Sequence, residues 1–145
     1  MKSLIALSLI LITTMVLAEG YEPVKTNNTW RVEWKNNNGK KGIVIWKVQE
    51  WEDCCGVMNM SMSGKAKDSF GTSNVSGGCA EGSCSFEQTY ISGKYKGKTY
   101  VYIATYELTL SDEKPDLSAN LKTIKGRYGL RDKKPHGTFT INRPI

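Results

Sequence analysis

The sequence predicts an all-β domain: a single antiparallel β-barrel of about seven to eight strands with up-and-down connections, with a β-sandwich as the alternative. Three observations support this. Short runs along the chain alternate apolar and polar residues, the period of a strand that buries one face. Turn signals such as Asn38-Gly39 and Lys96-Gly97-Lys98 separate these runs. The sequence shows no convincing amphipathic-helix pattern and no internal repeat.

Residues 29–51 are predicted to form a β-hairpin. The strand that starts at Thr29 and the strand from Ile43 to Trp51 flank Asn38-Gly39, and both residues of that pair tolerate the positive φ of a tight turn. Trp30, Val32 and Trp34 share one face of the first strand, and Val44, Trp46 and Val48 share one face of the second. Ile43, Ile45 and Trp51 fall on the opposite face of the second strand.

Five further strands are predicted after this hairpin. They are Val57–Met62, Cys84–Ile91, Thr99–Leu110, Ile124–Leu130 and Gly137–Arg143. Residues 63–83 are rich in Gly and Ser and are predicted to form a long loop, interrupted at most by a short strand near Phe70. A loop of this length in a compact domain is usually functional or tethered.

The amino terminus has the pattern of a secretory signal peptide. Lys2 precedes an apolar run from Leu4 to Leu17, and Ala18 supplies a small residue at the predicted cleavage site. The run is shorter than the roughly 20 residues that span a bilayer. We therefore expect residues 1–18 to be removed and residues 19–145 to form one domain that is secreted or periplasmic. An uncleaved amino-terminal anchor is the alternative.

The expected mature chain is moderately basic. Without Lys2 it carries 19 basic and 14 acidic side chains, a formal net charge of +5. Many of the lysines fall in predicted turns or at strand ends: Lys40, Lys41, Lys94, Lys96, Lys98, Lys133 and Lys134. One interpretation is a well-solvated surface, and the other is attraction to an anionic polymer, a sulfated sugar, a lipid headgroup or an acidic protein. Nucleic acid is not expected, because the chain has no recognisable nucleic-acid motif and carries an export signal.

Four cysteines, Cys54, Cys55, Cys79 and Cys84, predict disulfides in an exported domain. A bond between adjacent cysteines closes a strained ring, so we expect two bridges that join Cys54 and Cys55 to Cys79 and Cys84. The alternative is a local Cys79–Cys84 bridge with Cys54 and Cys55 as a vicinal pair. A metal site is not expected, since Cys54-Cys55 lacks the usual two-residue gap between thiolate ligands.

The two ends of the β pattern carry a family resemblance. Trp30 begins the first strand and Arg143 ends the last one. In this arrangement the chain resembles the calycin superfamily of lipocalin-like and avidin-like barrels, and residues 126–130 are similar to the penultimate strand of small secreted barrels. The resemblance implies that Arg143 packs over Trp30 and helps close the barrel, with a cation–π contribution of about 0.5–2 kcal/mol. Asn28 stands where those families usually have glycine, and their biotin-binding residues cannot be placed here.

Enzyme signals are sparse. His136 is the single histidine, beside Pro135 in a predicted turn, where a surface position is the expected one. Glu50 with Glu52 or Asp53 is the nearest approach to a glycosidase carboxylate pair. The chain contains no Gly-x-Ser-x-Gly, His-Glu-x-x-His or phosphate-binding glycine motif. We therefore predict a non-enzymatic protein without a cofactor or metal, and keep a hydrolase as an alternative.

Aromatic residues are the best candidates for binding. Trp and Tyr combine apolar area with a polar tip, which suits binding surfaces and core edges alike. The candidate ligand- or partner-binding residues are Tyr100, Tyr102, Tyr106, Trp46 and Phe70. The first hypothesis is a protein that binds or inhibits another secreted protein, a hydrolase or toxin, through the Cys54–Cys84 region. The second is a carrier of a small apolar or amphipathic ligand inside the barrel.

Overall fold

The protein forms nine β-strands in a computed structural model that describes residues 24–25, 28–54, 59–80, 82–105 and 123–144. The strands are β1 (Val24–Lys25), β2 (Thr29–Asn36), β3 (Lys41–Cys54), β4 (Asn59–Asp68), β5 (Gly71–Ala80), β6 (Ser83–Tyr90), β7 (Thr99–Thr105), β8 (Thr123–Leu130) and β9 (Gly137–Asn142). No helix occurs among these residues. The predicted signal peptide lies outside the described residues.

Strands β2 to β9 close into a single antiparallel barrel of eight strands. Each strand pairs with its neighbour in sequence, β9 pairs with β2, and β3 pairs with β4, so the connections are up-and-down throughout. The short β1 extends the barrel wall by pairing with the far end of β3, where Val24 lies opposite Trp51. The predicted all-β barrel is therefore confirmed, and the β-sandwich alternative is wrong.

The first hairpin forms as its alternation predicts. Trp30 pairs with Trp46 and Val32 with Val44, and all four of these side chains are buried. The Asn36 side-chain oxygen accepts hydrogen bonds from the Asn38 and Lys40 amides, at 3.0 and 2.9 Å, and so closes the turn. Ile43 and Ile45 lie on the opposite face of β3, which faces outward and leaves them exposed.

The predicted long loop at residues 63–83 is wrong. This segment belongs to a regular hairpin, in which β4 pairs with β5 from Met60–Cys79 to Asp68–Gly71. The inward positions are occupied by small or flexible side chains, including Met62, Ala66 and Val75, so the alternation is present but weakly apolar. At Gly78 a Cβ would overlap the Met60 carbonyl oxygen, so glycine is required for close strand approach. Glycine here indicates close packing between strands.

The expected two-bridge cysteine pairing is also wrong, and the local Cys79–Cys84 bridge of the alternative is confirmed. Cys79 and Cys84 lie opposite each other on β5 and β6 and form a disulfide with each other, so neither is available to Cys54 or Cys55. The pairing follows from the hairpin, because antiparallel register brings the two side chains to the same inward face. Both are buried in the core. The side chain of Cys54 and the whole of Cys55 lie outside the described residues.

The barrel interior is filled along most of its length. Trp30 and Trp46 both pack against Phe86, with ring centroids 6.0 and 5.7 Å apart, and Phe139 packs edge-on against Tyr102. Trp46, Phe86, Ile141, Val32 and Val48 are almost completely inaccessible to solvent. Among the described residues little room is left in the barrel centre, and a cup opens at the mouth that they form.

Candidate functional site

A cup of about 140 Å³ opens at the mouth of the barrel where the β2–β3, β4–β5, β6–β7 and β8–β9 connections meet. We call it the tyrosine cup, since five of its ten lining residues are tyrosines. It is lined by Trp34, Asn36, Lys40, Phe70, Tyr90, Tyr95, Tyr100, Tyr102, Tyr128 and His136. Each hairpin supplies part of the wall, so the site depends on closure of the barrel.

One wall of the cup joins the β4–β5 turn to the β6–β7 loop. Phe70 and Tyr95 stack with ring centroids 4.3 Å apart and an interplanar angle of 4°. The Tyr95 amide donates to the Phe70 carbonyl at 3.2 Å, which holds the two loops together. Gly93, with φ of +79°, comes so close to Phe70 and Gly71 that a Cβ would overlap their backbone. The stacked pair is therefore fixed by backbone contacts on both loops.

Tyr100 lies at the centre of the aromatic wall. Its ring is 6.0 Å from Tyr95, 6.1 Å from Tyr90 and 6.4 Å from Tyr128. It occupies this position because β7 starts at the mouth and alternate residues from Tyr100 onward point inward. Its half-buried ring presents one aromatic surface to the cup.

His136 closes the wall of the cup opposite the stacked Phe70 and Tyr95 rings. Its ring lies 5.0 Å from Tyr128 and 5.6 Å from Tyr100, and its backbone is held by the Tyr128 carbonyl and the Asn37 amide. Desolvation lowers the pKa of His136 below its usual value, so the imidazole is neutral at physiological pH. The expected surface-turn position is thus only partly right, since the residue precedes β9 and its half-buried ring faces the cup.

The floor of the cup is a buried polar network centred on Gln88. The Tyr102 hydroxyl donates to Gln88 Oε1 at 2.8 Å, and Gln88 Nε2 donates to Ser73 Oγ at 2.9 Å and to the Tyr90 hydroxyl at 3.2 Å. The Tyr90 hydroxyl in turn donates to Asp68 Oδ2 at 2.6 Å. Gln88 and Ser73 are almost fully inaccessible, so these bonds satisfy groups that have no access to water.

Four phenols of the cup, those of Tyr90, Tyr100, Tyr102 and Tyr128, remain protonated well above neutral pH. Burial raises the pKa of Tyr100 to about 12 and that of Tyr128 to about 12. Burial also raises the pKa of Tyr90, with its hydrogen bond to Asp68 as the next cause, and that of Tyr102. The Tyr90 and Tyr102 hydroxyls already donate to Asp68 and Gln88, whereas the protonated hydroxyls of Tyr100 and Tyr128 can donate one hydrogen bond and accept others. The cup offers aromatic faces with neutral polar tips.

The predicted binding residues divide into three groups. Phe70, Tyr100 and Tyr102 line the cup together. Trp46 lies beneath it with no exposed surface, and its indole nitrogen is 3.4 Å from Gln88 Oε1. Tyr106 lies outside the described residues. Sequence reasoning did not select the other seven lining residues, among them Tyr95, Tyr128 and His136, because only barrel closure brings separate turns together.

The lining of the cup is mainly aromatic. Its lining residues include no Ser, Thr, Cys, Asp or Glu, so the nearest partners of His136 are aromatic rings. Within the part of the chain that the structure describes, no group of three His, Cys, Asp or Glu residues is placed to hold a metal ion. A search of the same residues for helices finds none long and apolar enough to cross a membrane. The side chains of Glu50, Glu52 and Asp53, the candidate carboxylate pair, lie outside the described residues.

A second depression, of about 490 Å³, lies on the outer face of β2, β3 and β9. Arg31, Lys41 and Ile43 contribute to its lining. Ile43 is half exposed, and Ile45 beside it is also exposed. This outer groove is mixed in character, with apolar side chains between basic ones.

Comparison with protein-family models, with curated proteins and with solved structures finds no match to this chain.

Proposed function

We propose that this protein is an exported, calycin-like binding protein that holds one compact, ring-shaped amphipathic ligand in the tyrosine cup. The observation that carries the proposal is a cup lined by aromatic rings with neutral polar tips above a filled barrel core. Aromatic faces provide apolar contact for a flat ring, and the phenols with Asn36 provide hydrogen bonds that orient it.

The size of the cup limits the ligand. Cavities of roughly 150 Å³ accommodate a single six-membered ring. A long acyl chain would need a hollow interior, but Trp46, Phe86 and Ile141 occupy that space. The ligand class is therefore a single ring, such as a sugar or a phenol.

Export is part of the same proposal. The signal-peptide pattern at residues 1–18 supports it, and so does the buried Cys79–Cys84 disulfide, a bond that oxidising compartments preserve.

Saturation-transfer NMR with methyl α-glucoside, phenol and palmitate tests the cup. We expect transfer to a ring compound and none to palmitate. Tyr100→Ala should abolish the transfer, because it removes the central ring, whereas Ile103→Ala, at an exposed position on the same strand, should preserve it. Thermal unfolding of both variants checks that they fold. Transfer to palmitate alone, or equal loss in both variants, would contradict the proposal.

A protein partner is the second candidate, and the outer groove is the observation that favours it. Exposed Ile43 and Ile45 beside Arg31 combine apolar and charged contacts, as the surfaces of protein interfaces do. The test is co-purification of a partner at fixed stoichiometry with the intact chain. Loss of the partner on Ile43→Asp, with the partner kept on Ile103→Asp, would support an inhibitor or immunity factor. Equal partner recovery with both variants would exclude this face.

A further inference from the structure

The barrel topology gathers basic loops around the tyrosine cup. The four connections at this mouth are residues 37–40, 69–70, 91–98 and 131–136. Their basic side chains are Lys40, Lys94, Lys96, Lys98, Arg131, Lys133 and Lys134, all of them exposed. Asp132 is the one carboxylate in these loops. They hold seven of the chain's 20 basic residues and one of its 14 acidic ones, so the whole formal excess of +6 is concentrated here.

The basic residues form a continuous arc that we call the lysine rim. The Arg131 amide donates to the carbonyl of Thr99, the first residue of β7, at 2.9 Å, and the Asn37 amide donates to the His136 carbonyl at 2.7 Å. The β8–β9 connection is therefore joined to the start of β7 and to the β2–β3 connection. From β3 to β6 the arc crosses five strand spacings of about 4.8 Å, or roughly 24 Å. This length exceeds that of any ligand the cup can enclose.

Neighbouring carboxylates neutralise only part of the rim. Glu87 pairs with Arg131, and Asp68 accepts hydrogen bonds from the Tyr90 hydroxyl and the Phe70 amide. The Lys98 ammonium lies 4.4 Å from the centre of the Tyr95 ring, directly at the edge of the cup. The remaining lysines project into solvent, where they produce a positive potential over the opening.

This potential selects among ring ligands. An aromatic cup alone would also suit a quaternary ammonium group, but a surrounding set of ammonium groups repels a cation. An anion is attracted, and a rim much longer than the cup can engage several negative charges at once. Because the phenols and Asn36 suit the hydroxyl groups of a sugar, the site fits a saccharide with repeated negative charges.

We propose that the mouth of the barrel binds an acidic polysaccharide, with one sugar ring in the tyrosine cup and the carboxylate or sulfate groups of flanking sugars along the lysine rim. This inference rests on the proposed function and specifies its ligand. The cup supplies selectivity for a sugar ring, and the rim supplies affinity that depends on ionic strength.

Calorimetric titration of the mature chain tests the inference with four polymers at low and at physiological salt. Polygalacturonate and heparin supply carboxylated and sulfated sugars, dextran is a neutral polysaccharide, and poly-L-glutamate is a polyanion without sugar rings. We expect at least one acidic polysaccharide to bind about tenfold more tightly than both dextran and poly-L-glutamate. Whichever acidic polysaccharide binds more tightly, polygalacturonate or heparin, identifies carboxylate or sulfate as the preferred group.

Matched variants separate the two parts of the site. Lys133→Gln with Lys134→Gln should weaken binding about tenfold at low salt and less at higher salt. Lys65→Gln with Lys67→Gln removes the same charge from exposed positions on β4 and should have little effect. Tyr100→Ala should weaken binding at both salt concentrations, because it acts on the cup.

The contrary outcomes are distinct. Equal binding of poly-L-glutamate would mean nonspecific attraction of polyanions and would overturn the inference, and so would equal losses from the two lysine pairs. If the protein bound dextran or the simple ring compounds and showed no preference for acidic polymers, the inference would be overturned but the proposed function would remain intact. If no polymer and no ring compound bound, the inference and the proposed function would both be overturned.

Discussion

The Arg143 guanidinium lies over the Trp30 ring, 4.9 Å from its centroid. The two residues belong to opposite ends of the barrel sequence, and Trp30 is buried beneath the contact. The stacked pair therefore covers one end of the aromatic core formed by Trp30, Trp46 and Phe86. Its position is the one that the calycin resemblance implies.

Removing Trp30 and removing Arg143 should each destabilise the barrel, but by different amounts. Trp30→Ala deletes a buried ring and should cost about 3–5 kcal/mol. Arg143→Ala should cost about 0.5–2 kcal/mol, the range of a cation–π contact. Urea unfolding followed by circular dichroism measures both, and Arg127→Ala, on the exposed face of β8, is the control. A Trp30→Ala cost below about 1 kcal/mol would exclude the closing role of this pair.

Gln88 should be among the polar residues least tolerant of substitution. Gln88→Leu leaves the Tyr102 hydroxyl and Ser73 without their buried partner, and each such group costs about 1–3 kcal/mol. Tyr102→Phe removes one bond and should cost less. Gln49→Leu, at an exposed position on β3, should change the free energy of unfolding by under about 0.5 kcal/mol. Equal effects of Gln88→Leu and Gln49→Leu in urea unfolding would show that the network contributes nothing.

The disulfide pairing can be read from one unreduced tryptic digest. Cleavage after Lys67 and Lys94 releases a peptide that contains Cys79 and Cys84 and neither of the other two cysteines. We expect this peptide to appear alone, lighter by two hydrogen atoms than its reduced form. Its recovery joined to the peptide of residues 48–65 would restore the two-bridge pairing.

Loss of that bond should also lower stability. Joint replacement of Cys79 and Cys84 by Ala should cost about 2 kcal/mol, the value for a short closed loop in the chain-entropy account. Unfolding of the variant and of the wild-type protein in urea measures the difference. An unchanged urea midpoint would mean that the bond adds no stability.

The cup tyrosines should couple alkaline pH to unfolding. The raised pKa values of Tyr100 and Tyr128, about 12 in the folded protein, exceed the ordinary value near 10. The unfolded chain therefore loses these protons first, so the stabilising contribution is full below pH 10 and declines as pH rises toward 12. Absorbance at 295 nm and circular dichroism, recorded together, should show these phenols ionising as the fold is lost. Ionisation of all seven tyrosines near pH 10 in an intact barrel would contradict their burial.

Much of the barrel can be predicted locally. In β2 and β3 the inward residues are large and apolar, and Asn38-Gly39 marks the turn, so neighbouring residues alone specify the hairpin. In β4 and β5 the inward positions include the small residues Ala66 and Ser73, and Gly78 lies where the two strands approach closely. In sequence these small residues resemble a loop, because they contribute to the structure only through close packing against neighbouring strands.

The sequence by itself determined the all-β class and the clearest hairpin, since strand alternation and turn chemistry leave local signatures. The contact between Trp30 and Arg143 was implied by the calycin resemblance. Tertiary structure decided the Cys79–Cys84 pairing, because antiparallel register selects partners among cysteines of equal chemistry. It also decided the site. Tyr95 lies in the β6–β7 connection, Tyr128 in β8 and His136 in the β8–β9 connection, and closure of the barrel brings their rings into one cup and the basic loops into one rim.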